Sequence, residues 1–341
     1  MKCGIAGMVV LMTAAVSLGE TEPKAEIIEA RHRAMATEFV LLLHGENPGR
    51  LQWAADEAFE EVDWLEQQLS IYQISSEVSG INARAATENV KVEPGLFRLI
   101  QFSKQVWQET SGAFDITVGP LVRTWGFFRG RGSLPKEDSI AQVMPRVGMN
   151  HVVLDAEQRT VRFDVPGVEI DLGGIGKGYT VDAIVQILKR NGVTSAFVNG
   201  GGSTFYALGT PPGLDGWKVG ICDPFDKDKH VEILSLRDRS LSTSGNYEKF
   251  FEVDGRVYCH ILDPRTGHPV EGVFSATALA PTATESDALS TAFFVLGADG
   301  TEAYCRSHEG VSAVLVLAEE GAQRFRVRSI SSQGTEIIRH R

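Results

Sequence analysis

The sequence predicts an α+β fold: one compact domain of mixed or antiparallel sheets with helices packed against them. Three observations carry that prediction. Helical and strand-like periodicities are interleaved along the chain without the strict strand–helix alternation of a doubly wound sheet. Asp254-Gly255 stands between two strand-like runs, 247–253 and 256–262, and is the strongest short hairpin signal present. No internal repeat or low-complexity linker divides the 341 residues, a length that suits one large domain or two modest ones.

At the N-terminus, Lys2 precedes an apolar run from Ile5 to Leu18, and small residues follow. Ser17 and Gly19 fit the two small-residue positions of a signal-peptidase site, just before Glu20-Thr21-Glu22-Pro23. The run is short for a membrane span and reads as a signal peptide, with an uncleaved N-terminal anchor as the alternative. The expected division is therefore a signal peptide at 1–19 and a single domain at 20–341. Cys3 lies ahead of the apolar run, so it is not placed like a lipoprotein cysteine.

Hydrophobic residues make up 43% and charged residues 23%, enough apolar material for a substantial core. The 44 acidic residues outnumber 33 Lys and Arg, for a net charge of −11, and no long basic run appears. Nucleic acid is set aside on that ground, because a backbone-binding protein needs a basic face. An acidic protein that binds a nucleotide needs a local device for the phosphates, such as a metal ion or a helix N-terminus. Beyond the signal segment, Cys222, Cys259 and Cys305 show no CxxC spacing, which disfavours zinc. One bridge plus one buried thiol, or three buried thiols, both fit.

Helical periodicity places Ala55, Phe59, Val62, Leu65 and Leu69 on one face, and a second helix over 95–109 turns Leu96, Leu99, Ile100 and Val106 inward. Strand-like runs fall at 39–43, 151–154, 161–163, 169–172, 196–199, 217–221 and 313–317. The stretch 127–138, with Arg129-Gly130-Arg131-Gly132, reads as a mobile surface loop.

Two segments carry the chemistry. In Asp171-Leu172-Gly173-Gly174-Ile175-Gly176-Lys177-Gly178-Tyr179 a strand runs through glycines into a helix ending near Gly192. Glycines at such a turn let backbone groups approach a ligand, and Lys177 can meet a phosphate near the helix start. The pattern is neither Walker A nor GxGxxG, and a tight turn with incidental glycines is the alternative. In the second segment, Thr284 to Ser286 offer N-cap hydroxyls for a helix running to about Leu296. On it Asp287, Ser290 and Thr291 share one face, while Leu289, Phe293 and Leu296 can face a core. One carboxylate beside two hydroxyls suits a hard cation such as Mg²⁺; ordinary capping with a solvated polar face is the alternative. We expect these two segments to form one phosphate-and-metal site in an exported, soluble enzyme.

Three further stretches stand out. Gly112-Ala113-Phe114-Asp115-Ile116 follows a helix. Asn199-Gly200-Gly201-Gly202-Ser203 follows a strand, where glycines most often make a bulge or bend. His260 closes the hairpin in Tyr258-Cys259-His260-Ile261-Leu262-Asp263-Pro264. It can be a general base, although a lone strand histidine is more often structural.

Together these segments resemble the ApbE family, the FAD:protein FMN transferases. The matching pieces run in order: Met35-Ala36-Thr37-Glu38-Phe39, Leu69-Ser70-Ile71-Tyr72, Gly112-Ala113-Phe114-Asp115, 171–179, Asn199-Gly200-Gly201, Leu241-Ser242-Thr243-Ser244-Gly245, His260-Ile261-Leu262-Asp263-Pro264-Arg265-Thr266-Gly267 and 285–297. Each is weak alone; their order over nearly all of the chain beyond residue 19 is specific. The resemblance implies an ApbE-like, T-fold-related domain. It implies Mg²⁺-dependent transfer of the FMN moiety of FAD to a threonine of a partner flavoprotein, with AMP released. Met35, Tyr72, Ala113, Phe114, Asp115, Asp171, Lys177 and Ile261 would contact FAD. Gly174, through its carbonyl, would hold Mg²⁺ with Asp287, Ser290 and Thr291. His260 matches the family histidine proposed to assist proton transfer. Gly176 stands where many relatives have alanine, which weakens the helix start by up to about 1 kcal/mol. The implied partner is a flavoprotein subunit of a membrane redox complex, and the implied location is periplasmic, or attached to the inner membrane if the N-terminal segment is kept. Two other readings use the same residues: an Mg²⁺-dependent FAD pyrophosphatase yielding FMN and AMP, and a non-catalytic FAD-binding protein.

Overall fold

Eight strands form an antiparallel sheet in which neighbours in space follow their order in the chain. They are β1 (Glu26–Ala34), β2 (Thr37–Gly45), β3 (Ser195–Gly200), β4 (Thr204–Leu208), β5 (Arg239–Gly245), β6 (Val273–Ala280), β7 (Ser312–Ala318) and β8 (Phe325–Ser331). The computed structural model describes residues 26–331 except 131, 227, 248 and 320–323. The expected signal peptide and its cleavage site, Cys3 included, lie outside the described residues, as does Arg131 of the expected loop.

Helices arise in the long connections. Between β2 and β3 the chain forms α1 (Pro48–Leu69), α2 (Pro94–Glu109) and α3 (Gly176–Arg190); between β6 and β7 it forms α4 (Ala283–Ser307). Proline supplies the first turn of both α1 and α2, where its missing N–H costs nothing. Asn47 caps α1 by accepting from the Arg50 N–H at 3.0 Å. Strand alternation then divides the sheet's two faces. From β3 and β4, Ala196, Val198, Tyr206 and Leu208 pack with Ala58 and Val62 of α1 and Val181 and Ile184 of α3. Phe197, Phe205 and Ala207 point the other way, into a layer closed by the hairpin Trp217–Cys222/His230–Leu236. Further along, Ala276, Ala278, Ala313 and Leu315 share a core with Leu289 and Phe293 of α4 and Leu96 and Ile100 of α2.

The α+β expectation is borne out, and the Asp254-Gly255 hairpin forms between Phe250–Val253 and Arg256–Cys259. Both turn residues have positive φ, 50° and 77°, as a tight two-residue hairpin requires. Four expectations need correction. Residues 169–172 are no ladder strand: Glu169 makes a single parallel bridge to Val118. The backbone of Ile170 bonds instead to the Asn82 side-chain amide, at 2.7 and 2.9 Å. Residues 127–138 are not a free loop. They hold a short helical turn at Phe127–Arg129 and the start of a helix at Glu137–Val143, and Phe127 is buried with its ring 5.5 Å from that of Phe251. The last helix begins at Ala283, with Thr282 rather than Thr284–Ser286 as its cap. It also runs past Leu296 to Ser307 through a break at Gly297, whose φ of 64° only glycine adopts freely. Cys222, Cys259 and Cys305 are free thiols. No helix among the described residues is long and apolar enough to cross a membrane.

Candidate active site

The two expected segments meet where α3 and α4 begin. Asp171 anchors the approach: its N–H donates to the Ile116 carbonyl at 2.7 Å, and its carboxylate accepts from the Gly173 N–H at 2.8 Å. The chain turns through Gly174 and Ile175 into α3. At Gly178 a Cβ would lie 2.1 Å from the Ala283 carbonyl oxygen, so glycine is what lets the two helix starts touch. The Gly178 N–H then donates to Asp287 Oδ2 at 2.8 Å. That pairs an otherwise orphaned helix-start donor with a buried carboxylate. Asp287 Oδ1 accepts from the Thr204 hydroxyl at 3.1 Å.

Asp287 and Ser290 are only 5% and 1% exposed, which rules out a solvated polar face. Ser244 of β5 lies opposite, its Oγ 2.9 Å from that of Ser290 and 3.3 Å from Thr291 Oγ1. A Cβ on Gly174 would lie 3.3 Å from Thr291 Oγ1, so the glycine turn and this helix face are in contact. No cluster of three or more His, Cys, Asp or Glu suited to a metal occurs among the described residues. The donor set here is different in kind: one carboxylate, hydroxyls and backbone carbonyls.

Lys177, in the first turn of α3, donates from Nζ to Ser203 Oγ. Ser203 sits in the β3–β4 turn, where Gly201 and Gly202 have φ of 71° and 72°. The expected bend at these glycines is therefore what forms. A Cβ on Gly201 would meet Thr37 Oγ1 at 2.5 Å, which brings in the β1–β2 turn at Met35 and Ala36, with φ of 51° and 57°. Met35 Sδ lies 3.5 Å from the Thr180 hydroxyl of α3.

His260 is held by one backbone carbonyl. Its N–H and its ring Nδ1 both lie 3.0 Å from the Lys249 oxygen. A carbonyl only accepts, so Nδ1 carries the proton and Nε2 keeps its lone pair. Loss of hydration, reinforced by the charges of Lys249 and Lys177, pushes this imidazole down to about 4. It is neutral at ordinary pH and can take a proton at Nε2.

Tyr72 is 62% exposed and stacks on Phe128, with centroids 5.0 Å apart and planes at 22°. The Arg123 guanidinium covers Phe128 at 3.9 Å while pairing with Glu169. Partial burial raises the Tyr72 phenol, and the charge of Asp171 adds to it. Burial likewise raises Asp171 itself, against the Gly173 N–H and the charges of Lys249 and Arg123. Ala113, Phe114 and Ile261 are buried. The Asp115 carboxylate is turned inward: it accepts from the Thr117 N–H and hydroxyl at 2.7 and 2.6 Å and from the Met149 N–H at 3.2 Å. Its main chain, rather than its charge, is what it can present to a ligand.

The sequence reading gave no role to Ser203, Thr204, Ser244, Arg123, Phe128 or Lys249, although Ser203 and Ser244 lie in stretches it singled out. Only Ser244 left a usable signal. Ser240, Ser242 and Ser244 alternate along β5, which puts three hydroxyls on one face toward α4.

Oxygen donors at paired helix starts, a lysine beside them and a neutral imidazole are the parts of a phosphoryl-transfer enzyme, where positioning and charge neutralisation carry the catalysis. The comparisons with known proteins make the assignment specific. The chain belongs to the ApbE family, whose model matches residues 35–315. It is 35% identical over 283 residues to the FAD:protein FMN transferase of Treponema pallidum, covering 78% of each chain. It is 32% identical over 267 residues to the enzyme of that name from Escherichia coli K12, covering 76% of this chain and 75% of the relative. The crystal structure of the ApbE protein of Thermotoga maritima matches with a TM-score of 0.80 at 32% identity, covering 89% of this chain and 97% of that one. The apo form of Pseudomonas stutzeri flavinyl transferase ApbE gives 0.79 at 29% identity, covering 91% and 95%.

Proposed function

We infer that this protein is an FAD:protein FMN transferase that moves the FMN moiety of FAD to a threonine of an acceptor flavoprotein and releases AMP. One observation carries the reading: Gly178 and Asp287 bond directly, so the glycine turn and the oxygen-donor face form a single site beside Lys177. In this reading Met35, Tyr72, Ala113, Phe114, Asp115, Asp171, Lys177 and Ile261 line the FAD site.

The donor set fits Mg²⁺, a hard cation that prefers oxygen and shares its ligands with phosphates. Gly174 through its carbonyl, Asp287, Ser290 and Thr291 would hold it. When bound, it would neutralise the pyrophosphate and stabilise the leaving phosphate. Lys177 adds a positive charge on the phosphate side. His260 Nε2 takes the proton of the acceptor hydroxyl as the new oxygen–phosphorus bond forms and the pyrophosphate P–O bond breaks. The proton ends on His260, the FMN phosphate on the acceptor oxygen, and the broken bond's electrons on AMP.

The apolar run at Ile5–Leu18 supports export, with a periplasmic site of action. The acceptor is then a flavoprotein subunit of a membrane redox complex exposed on that side. The test is mass spectrometry of a candidate acceptor after incubation with enzyme, FAD and MgCl₂. FMN mass on a threonine, with AMP formed in equal amount, is the expected result. FMN and AMP released at the same rate without acceptor would make the protein a pyrophosphatase instead.

A further inference from the structure

We propose that Asp182 is a positioning residue for the metal donors of α4, acting through the helix start and not on any substrate. The proposal rests on reading the Asp287, Ser290 and Thr291 face as the metal site.

The two helices that meet at Gly178 exchange carboxylates. From α4, Asp287 accepts the Gly178 N–H of α3 at 2.8 Å. From α3, Asp182 accepts the N–H groups of Ala283 and Thr284, each at 2.8 Å, and the Thr284 hydroxyl at 2.6 Å. The first-turn donors of α4 are thereby all placed. Ala283 and Thr284 go to Asp182, Glu285 goes to the Thr282 hydroxyl at 3.2 Å, and Ser286 to the Thr282 carbonyl at 3.1 Å. A helix start needs partners for these groups.

The division of labour is informative. Thr282 is a local cap, and a local cap sets where a helix begins without setting its rotation against a neighbour. Asp182 belongs to the other helix. Its three bonds fix the azimuth of α4 relative to α3. Thr284 precedes Asp287 by one turn, and Ser290 and Thr291 follow by another, so all lie within two turns of the clamp. Gly174, the remaining proposed donor, sits just ahead of α3 itself. A rotation of α4 would carry the hydroxyl donors away from the Gly174 turn while leaving each helix intact. The Asp182 carboxyl is partly buried, which raises its pKa against these same hydrogen bonds.

The test is calorimetric titration of Mg²⁺ into protein preloaded with FAD, with urea midpoints measured in parallel. Asp182→Asn keeps the volume but turns an N–H₂ toward donors. It is expected to raise the Mg²⁺ dissociation constant about 10–100-fold, the range for outer partners of metal ligands. Thr284→Val, which removes one of the three bonds, is expected to shift it less, and Thr284→Ser not at all. A dissociation constant within about twofold of wild type in both Asp182→Asn and Thr284→Val, with only the urea midpoint lowered, would overturn the proposal. If Asp182→Asn does not fold, the Thr284→Val and Thr284→Ser pair decides in the same way. Wild-type protein that takes up no Mg²⁺ would instead overturn the metal reading on which the proposal stands.

Discussion

At the paired helix starts, donor side chains are held by other parts of the fold: Asp287 by Gly178 and Thr204, Ser290 by Ser244, Thr284 by Asp182. Elsewhere Tyr72 is 62% exposed on a stacked Phe128, and His260 is held by a single carbonyl of the chain before its hairpin. The difference teaches where each end gets its precision. On the proposed reading the helix starts are the phosphate end, and their side chains are held in place by the protein's own hydrogen bonds, as electrostatic catalysis requires. Tyr72 offers open aromatic surface, while His260 offers a dehydrated ring nitrogen that no other group among the described residues bonds.

That contrast can be broken from either side. The largest effect is expected for Asp287→Ala, which removes the carboxylate from the built end. Labelling of an acceptor, read by in-gel flavin fluorescence, should fall by about 10³-fold, corresponding to several kcal/mol of charge stabilisation. Unchanged labelling would dissolve the metal assignment. Next, His260→Ala should lower transfer by roughly 10²–10⁴-fold, the usual range for a general base. FAD binding, followed by flavin fluorescence quenching, should stay within about twofold if the histidine acts in proton transfer only.

The pH dependence sharpens the same point. A base works unprotonated, so with His260 held near 4 the rate should persist as pH falls through 6 and drop only around pH 4. An ordinary imidazole would lose its basic form at about 6.5. A pH–rate profile descending at 6.5 would contradict the structural account. Stability carries a linked signature. In the unfolded chain this imidazole takes a proton near 6.5 that the folded one refuses until about 4, so stability should decline between those values as pH falls. His44, buried with neither ring nitrogen bonded and likewise lowered by burial, pushes the same way.

Two smaller effects compare the ends by structure rather than chemistry. Gly178→Ala drives a methyl into the Ala283 carbonyl at the helix junction. It should cost about 1–3 kcal/mol of stability in urea unfolding, the price of overpacking a tight contact. Tyr72→Ala at the exposed ring should leave the urea midpoint unchanged. Its expected effect is a weaker FAD affinity, by about 2–10-fold, equivalent to the 0.5–1.5 kcal/mol of one aromatic stack. A large stability loss there would mean that the ring is structural after all.

Legibility in the sequence followed the range of the interactions. The Asp254-Gly255 turn needs only its own two residues to adopt positive φ, and it was readable. The faces of α1 and α2 follow a local period, and they too were readable. Residues 169–172 look like a strand because their alternation is real. Their backbone nevertheless bonds to a side-chain amide 88 positions away, at Asn82, and nothing local announces that. The helix cap was misplaced for the same reason. Thr284 and Ser286 carry cap-type hydroxyls, yet these are used by Asp182, Ser240 and Ser242 across the fold. In the site itself, resemblance to a family supplied the residue roles, while Arg123 and Lys249 emerged only when distant strands and loops were brought together.

The ordering of the main sheet has a kinetic side. All seven pairings of the main sheet join strands consecutive in the sheet, but β2 must wait for β3 while everything from Pro48 to Arg190 is made between them. Closing so long a loop is only modestly costly in free energy, because the entropy grows with the logarithm of its length. It weighs more on speed, since folding slows as contacts become remote in sequence. The pairing of Phe39 with Gly200 is such a contact, and it lies beside Met35 and the Lys177–Ser203 bond. The turns that carry Met35 and Ser203 therefore rest on the pairing most remote in sequence in the main sheet. On refolding, that corner of the candidate site is expected to form more slowly than the C-terminal strand pairings, whose contacts are closer in sequence.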